Sequence, residues 1–244
     1  MHKDNIFLTL TYDNEHLPED RSLHYEDYQL FMKRLLVTAK RKLNRDGIRF
    51  YMCGEYGETF GRPHYHACLF NFDLPDKKLW RVERGNRLYT SEFLSDLWGQ
   101  GFCSIGAVTF QSAAYVARYI MKKVTGDGAD EYYEWMDPET GEFHQRRPEF
   151  TNMSRRPGIG STWFQKYSSD VFPHDYVVVN GKKASPPRYY TNQYEVLYPD
   201  EVRSLKAIRK QRARRHASDN TPSRLKVREQ VLSSRISQLK RTIE

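Results

Sequence analysis

The sequence predicts an α+β protein built around an antiparallel sheet. Three observations carry this. Ile6–Tyr12 (I-F-L-T-L-T-Y) alternates at the period of a strand, and Tyr25–Leu43 places apolar residues at the period of a helix. Two further strand-like runs, Ile48–Glu55 and Arg62–Phe70, are joined by a short turn containing Gly57, Gly61 and Pro63, which reads as a hairpin.

Each element follows from its residues. In the first run Ile6, Leu8, Leu10 and Tyr12 alternate with Phe7, Thr9 and Thr11, the pattern of a strand covered on both faces. In the helix Tyr28, Phe31, Leu35, Leu36 and Leu43 lie near one face with basic residues between them, and Asn44–Gly47 ends it. Residues 73–89 are polar and charged and predict an irregular loop. A helix near Ser91–Trp98, a short strand near Phe102–Phe110 and a second amphipathic helix from about Ser112 to Val124 follow, stopped by Gly126-Asp127-Gly128. The order β-α-β-β-α-β-α implies a split β-α-β sheet with helices on one face.

Three regions are expected: a core over residues 1–125, a loop-rich extension packed on it over 126–200, and a basic helical tail over 201–244, broken near Ser218–Pro222. With 39% hydrophobic and 14% aromatic residues, the chain has the composition of a folded protein. No apolar run approaches a membrane span and the first residues lack a signal-peptide apolar region, so neither insertion nor export is expected, and the cytoplasm is. Cys53, Cys68 and Cys103, odd in number and irregularly spaced, fit a reducing compartment.

The net charge of +8 is unevenly spread: residues 201–244 hold 13 Lys+Arg against 4 Asp+Glu, leaving residues 1–200 at −1. A cationic end on a near-neutral body suits a polyanion, with nucleic acid the leading partner and a merely solvated helix the alternative.

Chemistry concentrates in two stretches. In Arg62-Pro63-His64-Tyr65-His66 the two histidines share one strand face and can hold one metal ion. Glu55, on the adjoining strand, is the candidate third ligand; two imidazoles and a carboxylate leave open positions for a phosphate oxygen and water. The same pattern also fits two partly buried, hydrogen-bonded histidines. Cys53 and Cys68 offer a Cys2His2 zinc alternative, although they lack the paired spacing of zinc ribbons.

The second stretch is Tyr115-Val-Ala-Arg-Tyr119-Ile-Met-Lys122. On a helical wheel Ala113, Ala117, Ile120 and Val124 form a narrow apolar stripe expected to face the core, with Tyr115, Tyr119 and Lys122 on the opposite side. A phenol with pKa near 10 is a poor nucleophile unless a cation favours the phenolate and a metal neutralises its target, and both aids are present here. Arg62, and Arg155 and Arg156 beside a Gly-rich turn, are candidate nucleic-acid contacts.

The set F-L-T-L-T-Y, G-E-Y-G, R-P-H-Y-H and Y-x-x-x-Y-x-x-K resembles the HUH endonucleases that initiate rolling-circle replication. It is most similar to the initiators of microviruses, the gokushovirus-like single-stranded DNA bacteriophages, and Met153-Ser-Arg-Arg-Pro-Gly-Ile-Gly160 with Trp163-Phe164 extends the resemblance to about residue 190. The resemblance implies an HUH endonuclease fold with a ferredoxin/RRM-like sheet, a divalent metal (Mn²⁺ or Mg²⁺) on Glu55, His64 and His66, paired nucleophiles Tyr115 and Tyr119, and Lys122 assisting them. It further implies nicking of a single-stranded origin through a 5′-phosphotyrosine, with host helicase and polymerase as partners in the bacterial cytoplasm. The family's usual cysteine-containing segment before the first strand has no counterpart ahead of Ile6, and a short variant or a truncated start is expected. Two other readings are a His2-carboxylate non-haem iron oxygenase, which leaves the tyrosines and tail unexplained, and a non-catalytic nucleic-acid-binding protein.

Overall fold

The first strand, β1 (Asn5–Thr11), is buried on both faces along its middle and forms the spine of a seven-stranded antiparallel sheet. In this computed structural model residues 2–57, 61–83, 85–118, 123–138 and 140–238 are described. Helix α1 (Tyr25–Leu43) follows, then β2 (Arg49–Tyr56) and β3 (Pro63–Phe70). Strand β3 inserts between β1 and β2, antiparallel to both, so β1-α1-β2 is a split β-α-β unit, as the element order implied.

Residues 73–89 are not an irregular loop. They form an edge hairpin, β4 (Lys78–Glu83) and β5 (Asn86–Thr90), turning at Gly85 with φ +84°. The strands escaped detection because an edge hairpin need not alternate: Leu79 and Val82 are both exposed, and charged residues break the apolar run. Helix α2 (Glu92–Trp98), capped by the Ser91 side chain accepting from Leu94 N, leads into β6 (Cys103–Ala107) and α3 (Phe110–Arg118). A capping box opens α3: Thr109 Oγ1 accepts from Ser112 N at 3.1 Å and Ser112 Oγ accepts from Thr109 N at 2.8 Å. Then come α4 (Ala129–Tyr133), the hairpin β7 (Glu134–Met136) and β8 (Phe143–Gln145), and β9 (Phe150–Met153), which pairs with β2 and completes the order β4-β5-β6-β1-β3-β2-β9.

Helices cover both sheet faces, not one. On the first face Ile6, Leu8, Leu10, Tyr65, Ala67 and Leu69 pack with Tyr28, Phe31, Met32 and Leu35 of α1 and with Leu94 and Trp98 of α2. Leu36, expected inside, is exposed. On the second face Phe7, Cys53 and Cys68 pack with Tyr115 and Val116 of α3. The expected orientation of α3 is therefore reversed: Tyr115 faces the sheet and Ala117 faces out. Methyl groups bury little area, so a phenol and an isopropyl group outweigh an alanine stripe.

Residues 160–242 form a second compact unit apart from residues 2–159. It contains α5 (Ser161–Val171), the hairpin β10 (Val177–Val179) and β11 (Lys182–Ala184), α6 (Arg188–Leu197), α7 (Pro199–Arg214), a 3-10 turn (Ala217–Asn220) and α8 (Pro222–Ser237). Its core is Phe164, Val171, Phe172, Tyr194, Val202 and Leu205. Helix α8 has no buried residue. No helix among the described residues is long and apolar enough to cross a membrane.

Candidate metal centre and its tyrosine

Cross-strand register assembles the site. Glu55 of β2 stands directly opposite His64 of β3, and His66, two residues on, shares the same face and pairs with Thr9 of β1. The result is one face of three adjacent strands carrying a carboxylate and two imidazoles, whose ligand atoms lie within 4.8 Å of one another. Glu55 and His66 are buried; the His64 side chain keeps 15% of its surface exposed and marks the open side.

The outer hydrogen bonds aim both rings. His64 Nδ1 donates to the carbonyl oxygen of Arg62 at 3.0 Å, a group that can only accept, which turns Nε2 towards Glu55. His66 Nδ1 meets Thr9 Oγ1 at 2.9 Å, and its ring stacks on Phe7 at 5.5 Å. Both Nε2 atoms lie 2.8 Å from the same oxygen, Glu55 Oε1. Two convergent imidazole nitrogens and a carboxylate oxygen, each ring fixed from behind, fit a divalent cation, which would replace the protons now shared there.

Tyr115 completes the cluster. Its hydroxyl donates to Glu55 Oε1 at 2.9 Å, and its ring meets that of His66 edge-on, centroids 5.2 Å apart. Tyr119 and Lys122 lie outside the described residues. Arg62 donates to Tyr12 O and to Asn14 Oδ1, beside the histidine strand. Arg155 and Arg156 are exposed on the turn after β9, where Arg49 donates to Arg156 O, six residues along β2 from Glu55 or about 20 Å at the rise of a strand. Cys53 and Cys68 lie in the small core under α3, outside the Glu55-His64-His66 group, and burial pushes the Cys68 thiol up to about 12. Sequence reasoning missed Thr9, whose only signal was its place on the face of β1 that also carries Phe7 and Thr11.

Burial alone would raise the Glu55 carboxyl, but the hydrogen bonds from His64 and His66 outweigh it and hold it at about 2, against an ordinary 4.5. A carboxyl depressed by folding stabilises the protein above its unfolded value, and that contribution fades as pH falls from 4.5 towards 2. A shift of this size is worth roughly 3 kcal/mol. In the metal-free protein, denaturant midpoints should therefore fall steeply across that window, and more shallowly in Glu55→Gln. Equal slopes in the two proteins would show that Glu55 is not the group responsible.

A profile of the replication-associated protein ORF2 family matches residues 5–124, the stretch that holds β1 to α3. The chain belongs to this family over those residues. It is 42% identical over 207 residues to replication-associated protein VP4 of Bdellovibrio phage phiMH2K, covering 82% of this chain and 61% of that protein. It is also 33% identical over 208 residues to replication-associated protein ORF2 of Spiroplasma virus 4 (82% and 60%) and 28% identical over 205 residues to replication-associated protein ORF4 of Chlamydia phage 1 (82% and 48%). The chain thus spans about half to three fifths of the length of these relatives. No solved structure matches it.

Proposed function

We propose that this protein is a replication initiator of a single-stranded DNA phage, a metal-dependent HUH endonuclease that nicks and rejoins one strand at the origin through tyrosine. The observation that carries this reading is the Tyr115 hydroxyl, 2.9 Å from the carboxylate oxygen on which His64 and His66 converge. A His2-carboxylate set also suits an iron oxygenase, but that chemistry gives no role to a phenol held at the ligand cluster. The replication-associated names of the phage relatives point the same way.

Glu55, His64 and His66 would hold Mn²⁺ or Mg²⁺, which when bound supplies positive charge to the scissile phosphate. The tyrosine oxygen attacks phosphorus, the P–O3′ bond breaks, and O3′ takes up a proton to become the free 3′-hydroxyl that primes host polymerase. Tyr115 is oriented by its hydrogen bond to Glu55. A carboxyl held at about 2 is a poor final proton acceptor, so Glu55 aims the phenol rather than deprotonating it. Tyr119 acts as the second nucleophile, attacking the regenerated origin so that the released 3′-end closes the circle, and Lys122 favours the phenolate. Residues 1–125 carry the catalytic groups.

The test is incubation of the protein with end-labelled single-stranded origin DNA and Mn²⁺, resolved on a denaturing gel. The strand 3′ of the cut should migrate bound to protein, and the other fragment should end in an extendable 3′-hydroxyl. Cleavage without a covalent adduct would overturn the tyrosine mechanism.

In this reading the basic C-terminal helices, with Arg155 and Arg156, contact the DNA backbone. Deleting residues 201–244 is a poor test, because Val202 and Leu205 are core residues of their unit and Glu201 accepts from Tyr194 at 2.6 Å. Arg212, Arg214 and Arg215 are exposed at the end of α7. Exchanging all three for Gln should leave the cleavage site unchanged and make the dependence of log affinity on log salt shallower by up to about 2 on single strands. A changed cleavage site would mean that these arginines read bases.

A further inference from the structure

A cavity of about 390 Å³ opens beside the β2–β3 turn, lined by Arg21, Arg62, Pro63, Trp135, Asp137 and Arg146 among others. It adjoins the metal ligands through the backbone. Tyr56 and Pro63, cross-strand partners, are the immediate neighbours of Glu55 and His64, and the Arg62 carbonyl is the group that orients His64. A strand whose phosphate reaches the ligands has its adjoining nucleotides within reach of this opening.

The cavity is built around Arg146. Its side chain is only 8% exposed, and its guanidinium lies between two rings, 3.7 Å from the Trp135 centroid and 4.6 Å from that of Tyr56. Both flat faces are therefore occupied, and recognition falls to the donor edge. Its Nε has no hydrogen-bond partner. Burial lowers the group to about 10, which leaves it a cation at neutral pH. Gly61 makes room for it: a Cβ there would sit 2.6 Å from Nη1, and the backbone at φ +58° favours glycine besides.

The other two arginines are engaged. Arg21 pairs with Asp137 at 2.9 Å, and Arg62 donates to Tyr12 O and Asn14 Oδ1. Asp137, itself 2% exposed, puts a carboxylate in the same wall and disfavours a phosphate, whereas Leu17, Pro63, Pro138 and Trp135 give the apolar surface a base requires. The edge of an arginine matches O6 and N7 of guanine with two parallel donors.

We infer that this cavity receives one guanine of the single strand beside the cleaved phosphate, and that Arg146 reads its edge and so helps to choose the origin. The inference rests on the nuclease reading for its ligand, single-stranded DNA.

Binding can be measured apart from cleavage. The full chain in EDTA is used to select from randomised single strands, and the retained strands should share a guanine at one position. Placing 7-deazaguanine there, which lacks N7, should weaken binding of the wild type about tenfold, and Arg146→Met should lose that discrimination while preferences elsewhere persist. Absence of a covalent adduct in the metal-dependent assay would sink the nuclease reading and leave this result standing. No shared guanine, or equal binding of guanine and 7-deazaguanine, would overturn the pocket. A uniform loss of affinity for every sequence in Arg146→Met would overturn it too, since that assigns Arg146 to phosphate. If Arg146→Met does not fold, the wild-type comparison of the two bases decides alone.

Discussion

Protein carrying Phe at both 115 and 119 is expected to form no covalent adduct with origin DNA while remaining folded. At 115 the exchange removes one hydroxyl and its hydrogen bond to Glu55 but keeps the ring that packs edge-on against His66, so the stability cost should be about 1–2 kcal/mol. The single variants should separate the two steps. Residues i and i+4 of a helix have their side-chain roots about 6 Å apart, so either phenol can serve a phosphate held at one place. Tyr115→Phe and Tyr119→Phe should each still make a first cut, yet fail in the second transfer that releases a circle. Gel-resolved adducts and circle yield in a replication assay measure both. An adduct from the double variant would move the nucleophile elsewhere; normal circle release by one single variant would leave that tyrosine a packing residue.

His66→Ala should cost the most at the metal. His66 is buried, meets Thr9 and Glu55 through its two nitrogens, and stacks on Phe7, so its loss removes a ligand and leaves Glu55 buried with one charge-assisted partner fewer. Mn²⁺ affinity should fall by more than the ~100-fold upper range for losing an outer-shell partner. Nicking should disappear, and stability should drop by roughly 3 kcal/mol. His64→Ala, at the open side, should abolish nicking with a smaller loss of stability. Calorimetric Mn²⁺ titration and thermal melts distinguish the two. Wild-type nicking by His66→Ala after EDTA treatment would remove the metal from the mechanism.

The metal-ligand geometry was legible in the sequence because strand period and hairpin register are local. His64 and His66 two residues apart, with Glu55 across a short turn, have one arrangement in a paired hairpin, and the structure has it. The setting of Tyr115 was not legible. A helical wheel ranks faces by hydrophobicity, and here the face that carries the polar hydroxyl is the one buried, because Glu55 accepts from it and the aromatic ring fills the space beside Phe7, Cys53 and Cys68. The β4–β5 hairpin was hidden for the opposite reason, since its apolar side chains are exposed at the sheet edge. The cavity around Arg146 joins residues from 14 to 146, and no local pattern brings Trp135 and Tyr56 to either side of one guanidinium.

The turn between β2 and β3 closes immediately beyond the Tyr56–Pro63 pair. Inserting one residue within β3 would turn both histidines to the opposite face of the sheet and destroy the site. Changes inside the turn leave the pairing of Glu55 with His64 untouched, and the Arg62 group that holds His64 is a backbone carbonyl that any residue supplies. Cleavage chemistry and choice of address are thus inherited separately. A phage lineage can shorten, lengthen or recolour this turn to follow a drifting origin without rebuilding the machinery that cuts it.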